Sequence, residues 1–385
     1  MNPKDFRSRK AGQVIKTLQG YYAFVPATLP PEVVYDKTLI NLLSNADASL
    51  SELSGMGRYL PNPNLLIAPY VRREAVLSSR IEGTQASLSD VLLDEIGRPG
   101  AAAPPADVRE VRNYVAALEY GIKRLDKLPL SLRLVRETHA QLMQGVRGDY
   151  ATPGEFRRSQ NWIGGSGSTL QTASFVPPPP SQMMTLLADW EQYLHVRDDI
   201  PDLIQCAIMH GQFEIIHPFL DGNGRVGRLL ITLFLIERTR LSQPLLYLSA
   251  YIEANRQEYY RLLLRLSTHA DWTSWLHFFL RGVSSVANEA LQRATELMHL
   301  RDATRERLRN TPRAIALLDA FFVNPYLTAA KSAEILAASV PTAQKAILAL
   351  AAIGFVEELT GQSWGRIYVA RPILDVIERP SEITP

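Results

Sequence analysis

His217-Pro218-Phe219-Leu220-Asp221-Gly222-Asn223-Gly224-Arg225-Val226-Gly227-Arg228 decides how this chain is read. Apolar residues at helical spacing lead into it over residues 203–216 and resume over 229–236, so the spacing predicts helix, tight loop, helix. A Gly-Asn-Gly turn that opens a helix leaves backbone N–H groups unpaired at the positive end of the helix dipole. Gly222, Asn223 and Gly224 are therefore an anion cradle, and phosphate is the obvious anion. Arg225 and Arg228 are three residues apart, which leads us to expect both guanidinium groups over one mouth. Asp221 offers a hard oxygen to a magnesium ion riding on phosphates. His217, with an ordinary pKa of about 6.5, has the titration range of a general base. Together these residues point to phosphate chemistry on a hydroxyl.

The stretch resembles the signature of the Fic family, His-Pro-Phe-x-Asp/Glu-Gly-Asn-Gly-Arg-x-x-Arg, and matches it at every fixed position. The resemblance implies a protein adenylyltransferase, an enzyme that moves AMP from ATP to a Ser, Thr or Tyr hydroxyl of a protein. It implies His217 as the catalytic base and Asp221 as the Mg²⁺ ligand. Gly222, Asn223, Gly224, Arg225, Val226, Gly227 and Arg228 become the nucleotide-binding run, with Arg225 and Arg228 on the β- and γ-phosphates. ATP is then the substrate, an unnamed protein the target, and self-modification and a homodimer are expected on family grounds. Some members transfer UMP, phosphocholine or phosphate instead, and some remove AMP. The phosphotransfer variant usually departs from Gly-Asn-Gly-Arg, and this chain does not.

Upstream, residues 1–36 read as an extended, proline-marked lead-in that Tyr21, Tyr22 and Phe24 pin to the helical body. Helices are expected over 38–55 and 65–81. Ser78-Ser79-Arg80-Ile81-Glu82-Gly83 closes the second, with Gly83 as the stop and Ser87-Leu88-Ser89-Asp90 as a capping box for the next helix. Glu82 thus meets the negative end of a dipole and wants a cation from far along the chain. The run is similar to the Ser/Thr-x-x-x-Glu-Gly/Asn segment of self-inhibited Fic proteins. That resemblance implies that Glu82, supported by Ser78, pairs with Arg228 and displaces the γ-phosphate. On the hexapeptide alone, a surface glutamate is the competing reading.

A Pro/Ala-rich loop at 98–106 suggests a boundary, and helices are expected at 107–125, 131–145, 181–196, 252–266 and 271–300. Residues 154–180 break the helical rhythm and read as a β-hairpin with a long tip. By resemblance this is the flap that clamps a target strand; a structural hairpin or plain loop is the alternative. His139 and His210 read as core histidines, since no further ligands at zinc spacing accompany them. Tyr260 is either the stacking face for adenine, as the resemblance implies, or a helix-packing aromatic. Where some relatives carry asparagine, this chain has Ser267.

The charged stretch 301–313 marks a second boundary, followed by three short helices and two strands that look like a winged helix. Lys345 is nearly alone on its recognition-like helix, which favours packing or a dimer contact over DNA. A nucleotide-sensing DNA-binding regulator is the rival from another class. The expected fold class is all-α: an N-terminal helical region with the inhibitory helix (1–106), a Fic helical core with the hairpin flap (107–300), and a winged-helix-like domain (301–385). With 385 residues and a net charge of +2, bulk electrostatics give no argument for nucleic acid or an acidic membrane surface, and the single cysteine allows no internal disulfide. No span or leader is read from the sequence, so cytoplasm is the expected location.

Overall fold

The computed structural model describes every residue except 60–63, 99–102, 146–151, 166, 198, 363 and 381–385. The lead-in is more ordered than its sequence suggests. Strands β1 (Gly12–Lys16) and β2 (Tyr22–Pro26) pair antiparallel, Gly12 opposite Pro26 and Lys16 opposite Tyr22. Prolines confined to the ends of this segment leave two short β-prone runs free to pair. Phe24 is buried against Phe6 and Phe175, at 5.3 and 5.9 Å between ring centroids. Tyr21 reaches Gln160 through its hydroxyl at 3.2 Å, whereas Tyr22 stays exposed and pins nothing.

Helices follow as expected: α1 (Lys37–Tyr59), α2 (Asn64–Ile81), α3 (Leu88–Glu95), α4 (Pro105–Leu125), α5 (Leu132–Leu142) and α6 (Pro180–Leu194). The capping box on α3 closes both ways. Ser87 Oγ accepts from the Asp90 N–H at 3.1 Å, and Asp90 Oδ2 accepts from the Ser87 N–H at 3.0 Å. Part of the Pro/Ala-rich loop lies outside the described residues. Between α5 and α6 the expected hairpin narrows to one antiparallel bridge, Ile163 with Phe175, closed by bonds of 2.8 and 3.1 Å.

The centre of the molecule is α7 (Asp202–Ile216), in which every residue from 203 to 216 is buried. A helix apolar all round finds a stable place only inside a bundle. It packs against α6, α8 (Asn223–Glu237), α10 (Arg256–His269) and α11 (Trp272–Arg307). The helix expected at 252–266 is two, because α9 (Ser249–Ala254) ends at Asn255 before α10 begins. Within the charged stretch 301–313, α11 runs on to Arg307 and the chain turns before the next helix starts at Pro312, with Arg301 paired to Asp319 at 2.7 Å.

Beyond α11 come α12 (Pro312–Val323), β3 (Tyr326–Thr328), α13 (Ala329–Ile335), α14 (Val340–Ala352), β4 (Glu357–Glu358), β5 (Ile367–Val369) and α15 (Arg371–Ile377). The sheet has three strands in the order β3-β5-β4, all antiparallel, one more than the sequence suggests. Three residues are too few to show an alternation, which hid β3. This unit leans on α2 through α12 and α15. It is tied to its surroundings by Asn324 Nδ2 to the Leu92 carbonyl at 3.0 Å and Arg293 Nη1 to the Ile377 carbonyl at 2.7 Å. Helix α2 is therefore shared, with the central bundle on one side and the C-terminal unit on the other. No single helix among the described residues is long and apolar enough to cross a membrane.

Candidate active site

The chain turns from α7 into α8 through His217, whose backbone is left-handed at φ 49° and ψ 61°. Histidine adopts that conformation at a cost of about 1 kcal/mol, so other groups must hold it. Arg157 does so: buried, it donates Nε to the His217 carbonyl at 2.9 Å and Nη2 to the Pro178 carbonyl at 2.5 Å. Asn161 donates to the Phe219 carbonyl at 2.8 Å and the His217 carbonyl at 3.3 Å. Burial pushes the Arg157 pKa down to about 10, and its charge sits where the α7 dipole is negative.

His139 braces the other side of the loop. Its Nδ1 accepts the Gly154 N–H at 2.8 Å, which puts the proton on Nε2, and Nε2 donates to the Asp221 carbonyl at 3.0 Å. The ring stacks on Phe219 at 3.7 Å, and burial holds it neutral, with a pKa down to about 4. Neither Arg157, Asn161 nor the loop contact of His139 was read from the sequence. Their partners are main-chain carbonyls remote along the chain, and no spacing rule announces them.

Helix α8 begins at Asn223 after Gly222, which is left-handed at φ 78° and caps it with no side chain. Asn223 turns its amide into the loop. Phe219 N–H donates to its Oδ1 and its Nδ2 donates to the Phe219 carbonyl, both at 2.8 Å. The side chain is therefore a brace, and the anion cradle rests on backbone N–H groups alone. Over that cradle lies Glu82, one residue past the end of α2. A Cβ on Gly224 would overlap its Oε1, so only glycine leaves room for the carboxylate here.

Glu82 Oε1 accepts from Arg228 Nη2 at 2.8 Å. Arg228 is also held by Ser78, with Nε donating to Oγ and Nη2 to the carbonyl, each at 2.9 Å. Its guanidinium is 1% exposed and Glu82 35%. Burial alone would raise the Glu82 pKa, but the Arg228 guanidinium outweighs it and holds the carboxyl below its ordinary range. The distant cation that Glu82 wants is thus Arg228.

The other members of the run divide. Arg225 does not share the mouth with Arg228. It turns inward to Glu110 at 3.3 Å and the Met143 sulfur at 3.7 Å, because a buried acid on α4 captures it. Val226 is packed in the core, and Gly227 serves close approach, since a Cβ there would overlap Glu214 Oε1. None of the three lines the cavity. Asp221 is 45% exposed; its Oδ1 accepts the Gly222 N–H at 2.6 Å and lies 3.8 Å from Arg225. Its other oxygen has no hydrogen-bond partner among the described residues. One free hard oxygen at a phosphate cradle suits an ion that takes most of its ligands from phosphates and water. No group of three or more metal-ligating side chains occurs among the described residues.

A cavity of about 740 Å³ is lined by Glu82, Glu214, His217, Gly224, Arg228, Tyr260 and the residues around Ile163, while Asp221, Gly222 and Asn223 stand outside its lining. Burial pushes the His217 pKa down to about 4, Arg157 adding to the effect, so the imidazole is neutral at ordinary pH. Its Nδ1 has no hydrogen-bond partner among the described residues. Tyr260 is 42% exposed on the wall, with the Arg256 guanidinium 5.9 Å from its ring centroid. His210 is a satisfied core residue, Nδ1 against the Gly227 carbonyl and Nε2 against the Tyr259 hydroxyl, both at 3.0 Å.

Two family models match the chain. Residues 40–123 match the family model described as Fic/DOC family N-terminal, and residues 129–235 the model described as Fic/DOC family. Among curated relatives, the "Protein adenylyltransferase Fic" of Drosophila grimshawi is 30% identical over 172 residues, 44% of this chain and 32% of that one. A "Probable protein adenylyltransferase" of Aquifex aeolicus is 39% identical over 85 residues, 22% of this chain and 27% of its own. The chain spans about a third of the length of the curated relatives it matches. Among solved structures, a Fic family protein from Desulfovibrio desulfuricans superposes with a TM-score of 0.60 at 22% identity, covering 89% of this chain and 98% of that one. Fic-1 of C. elegans gives 0.52 at 22%, covering 68% and 74%. At such identities the likeness is one of fold.

Proposed function

Starting from a chain that carries a Fic/DOC N-terminal domain and a Fic/DOC domain, we propose that it is a self-restrained protein adenylyltransferase. It moves AMP from Mg·ATP to a Ser, Thr or Tyr hydroxyl of a protein, its own chain included. The observation that carries this reading is the carboxylate of Glu82 lying on Arg228 over Gly224, in one cavity with a neutral His217. An acid is thereby held in an anion cradle, where a phosphate of the substrate would otherwise sit.

In this mechanism His217 accepts the proton of the attacking hydroxyl as its oxygen bonds to the α-phosphorus. The bond from that phosphorus to the bridging oxygen of pyrophosphate breaks. Backbone N–H groups of Asn223 and Gly224 stabilise the charge that develops on the α-phosphoryl oxygens, the Gly222 N–H being taken by Asp221. Arg228 holds the terminal phosphates once Glu82 has withdrawn, and Ser78 keeps the guanidinium aimed. Arg225 braces the loop from within. Asp221 is the residue that would hold Mg²⁺, which supplies charge neutralisation at the phosphates. The flap around Ile163 offers an edge to the target segment, and Tyr260 a face to the base.

The test uses ATP labelled separately at the α- and γ-phosphates with three proteins: unaltered, Glu82→Gly, and Glu82→Gly with His217→Ala. Label retained from the α-position, stronger in Glu82→Gly and absent without His217, is the expected result. Label from the γ-position alone, or equal α-label with and without His217, overturns the reading.

A further inference from the structure

The wall of the cavity holds a second carboxyl. Glu214 lies one turn before His217 on α7, lines the cavity, is 8% exposed, and has an Oε1 with no hydrogen-bond partner among the described residues. That buried oxygen lies against Gly227, which does not line the cavity, so a ligand in the cavity meets the carboxyl's other oxygen, which is not among the fully buried unpaired atoms. On the reading above of this cavity as an ATP site, we propose that Glu214 acts as a neutral carboxylic acid. Its O–H donates a hydrogen bond to the terminal phosphates held by Arg228, and its ionised form excludes them.

The geometry comes from α8. Gly224 and Gly227, three residues apart, leave its face bare at two places, and each bare place is filled by a carboxyl oxygen. Glu82 Oε1 lies over the first and Glu214 Oε1 over the second, with the Arg228 guanidinium serving the same turn. Two acids thus flank one cation. Such pairs are driven apart in acidity, one keeping the charge and the other the proton.

The groups facing Glu214 are few. From α8 there is Arg228, and from the end of α2 there is Glu82. On α7 itself stand His210, whose ring meets the same Gly227, and His217; both are neutral. From α10 come the phenols of Tyr259 and Tyr260 on the same wall, un-ionised at ordinary pH. Burial dominates, Arg228 opposes it and Glu82 adds to it, so Glu214 is pushed up to about 8. Protonated, it offers a phosphate oxygen a donor in a place where a carboxylate would repel it and compete for Arg228.

The test is direct binding of ATP by calorimetry to Glu82→Gly, between pH 7.5 and 9.5, beside the double variant Glu82→Gly/Glu214→Gln. Glutamine copies the neutral acid and cannot ionise. The affinity of Glu82→Gly is expected to fall about tenfold per pH unit above the Glu214 ionisation, which lies lower than in the unaltered chain because Glu82 no longer adds to it. The double variant is expected to hold its affinity across the range. A flat profile in Glu82→Gly overturns the proposal, whether or not the double variant folds. So does an equal fall in a double variant that melts normally, or a fall of the same size for adenosine, which has no phosphates. Transfer of α-label, followed on the same samples, separates the two readings. Missing transfer with pH-dependent ATP binding removes the adenylyltransferase and leaves Glu214, and steady transfer with flat binding does the reverse.

Discussion

Arg225 and Arg228 stand one turn apart on the same helix, and both end buried beside a glutamate. Arg225 meets Glu110 with both side chains shut away from solvent, at 4% and 7% exposure. Arg228 meets Glu82 at the wall of the cavity, with the acid carried on a helix end that stops at Gly83. The first acid is rooted in the middle of α4 and has nowhere to go. The second hangs from the last residues before a left-handed glycine at φ 99° and can leave with little else disturbed. Under the proposed function, the two ion pairs of one chemistry differ in what removing them does: the first holds the fold and the second is the gate.

The sharpest way to break that contrast is to remove each arginine in the Glu82→Gly protein. Arg228→Ala is expected to cut α-label transfer by about a hundredfold or more while melting stays close to that of its parent. Arg225→Ala is expected to lose about 3–4 kcal/mol of stability, because it takes the buried guanidinium away from the Glu110 carboxylate. Urea unfolding and a transfer assay on both variants decide, and exchanged phenotypes would erase the distinction.

Next in size is removal of the acids. Glu82→Gly is expected to raise transfer at least tenfold and to cost about 1 kcal/mol, since its partner pair is partly exposed. Glu110→Gln is expected to cost about 1–3 kcal/mol and to release no activity. A gain of transfer in Glu110→Gln would place the gate at the wrong arginine.

Stability against pH sharpens the picture from a different side. His139 and His217 at about 4 and His210 at about 3 lie below the ordinary histidine value of about 6.5. The unfolded chain therefore binds protons that the folded chain refuses, and stability falls as pH drops from about 6.5 toward 4. Glu74 at about 7 and Glu214 at about 8 lie above the ordinary range of acids. For them the folded chain keeps protons that the unfolded chain releases, so their contribution is lost as pH rises from about 4.5 to 8. Unfolding free energies across pH 4–9 should thus fall on both sides of a maximum. His139→Gln is expected to flatten the acid limb and Glu74→Gln the alkaline one; unchanged limbs would place the titrations elsewhere.

The smallest effect concerns the wall. Tyr260→Ala is expected to raise the KM for ATP about fivefold with kcat nearly kept, while Tyr260→Phe changes neither. A loss confined to kcat would move Tyr260 away from the base.

Much of this site was legible because it is local. A glycine stop after Glu82, a Gly-Asn-Gly turn at a helix start and a histidine before it each declare themselves within a few residues. What escaped is made of distance. Glu110 captures Arg225 from 115 residues away, and Arg157 reaches back-bone oxygens 60 residues ahead. The spacing led to the expectation of both guanidinium groups over one mouth, and that fails for Arg225, which Glu110 and Met143 draw inward. Glu214 reads as one more residue of a buried helix until Gly227 is placed opposite it. In the fold, the three-residue β3 went unseen because an element that short has no period, and the hairpin expected over 154–180 narrowed to the single bridge of Ile163 with Phe175.

The left-handed corner at His217 has one more meaning. By backbone ease alone, the position asks for glycine or asparagine, and the proton asks for an imidazole. The chain has answered the second demand and supports the corner with Arg157 and Asn161. A survey of variants ranked by melting temperature would tend to score this histidine as a flaw. Under the proposed mechanism, what such a survey marks as poorly fitted is the residue that takes the proton.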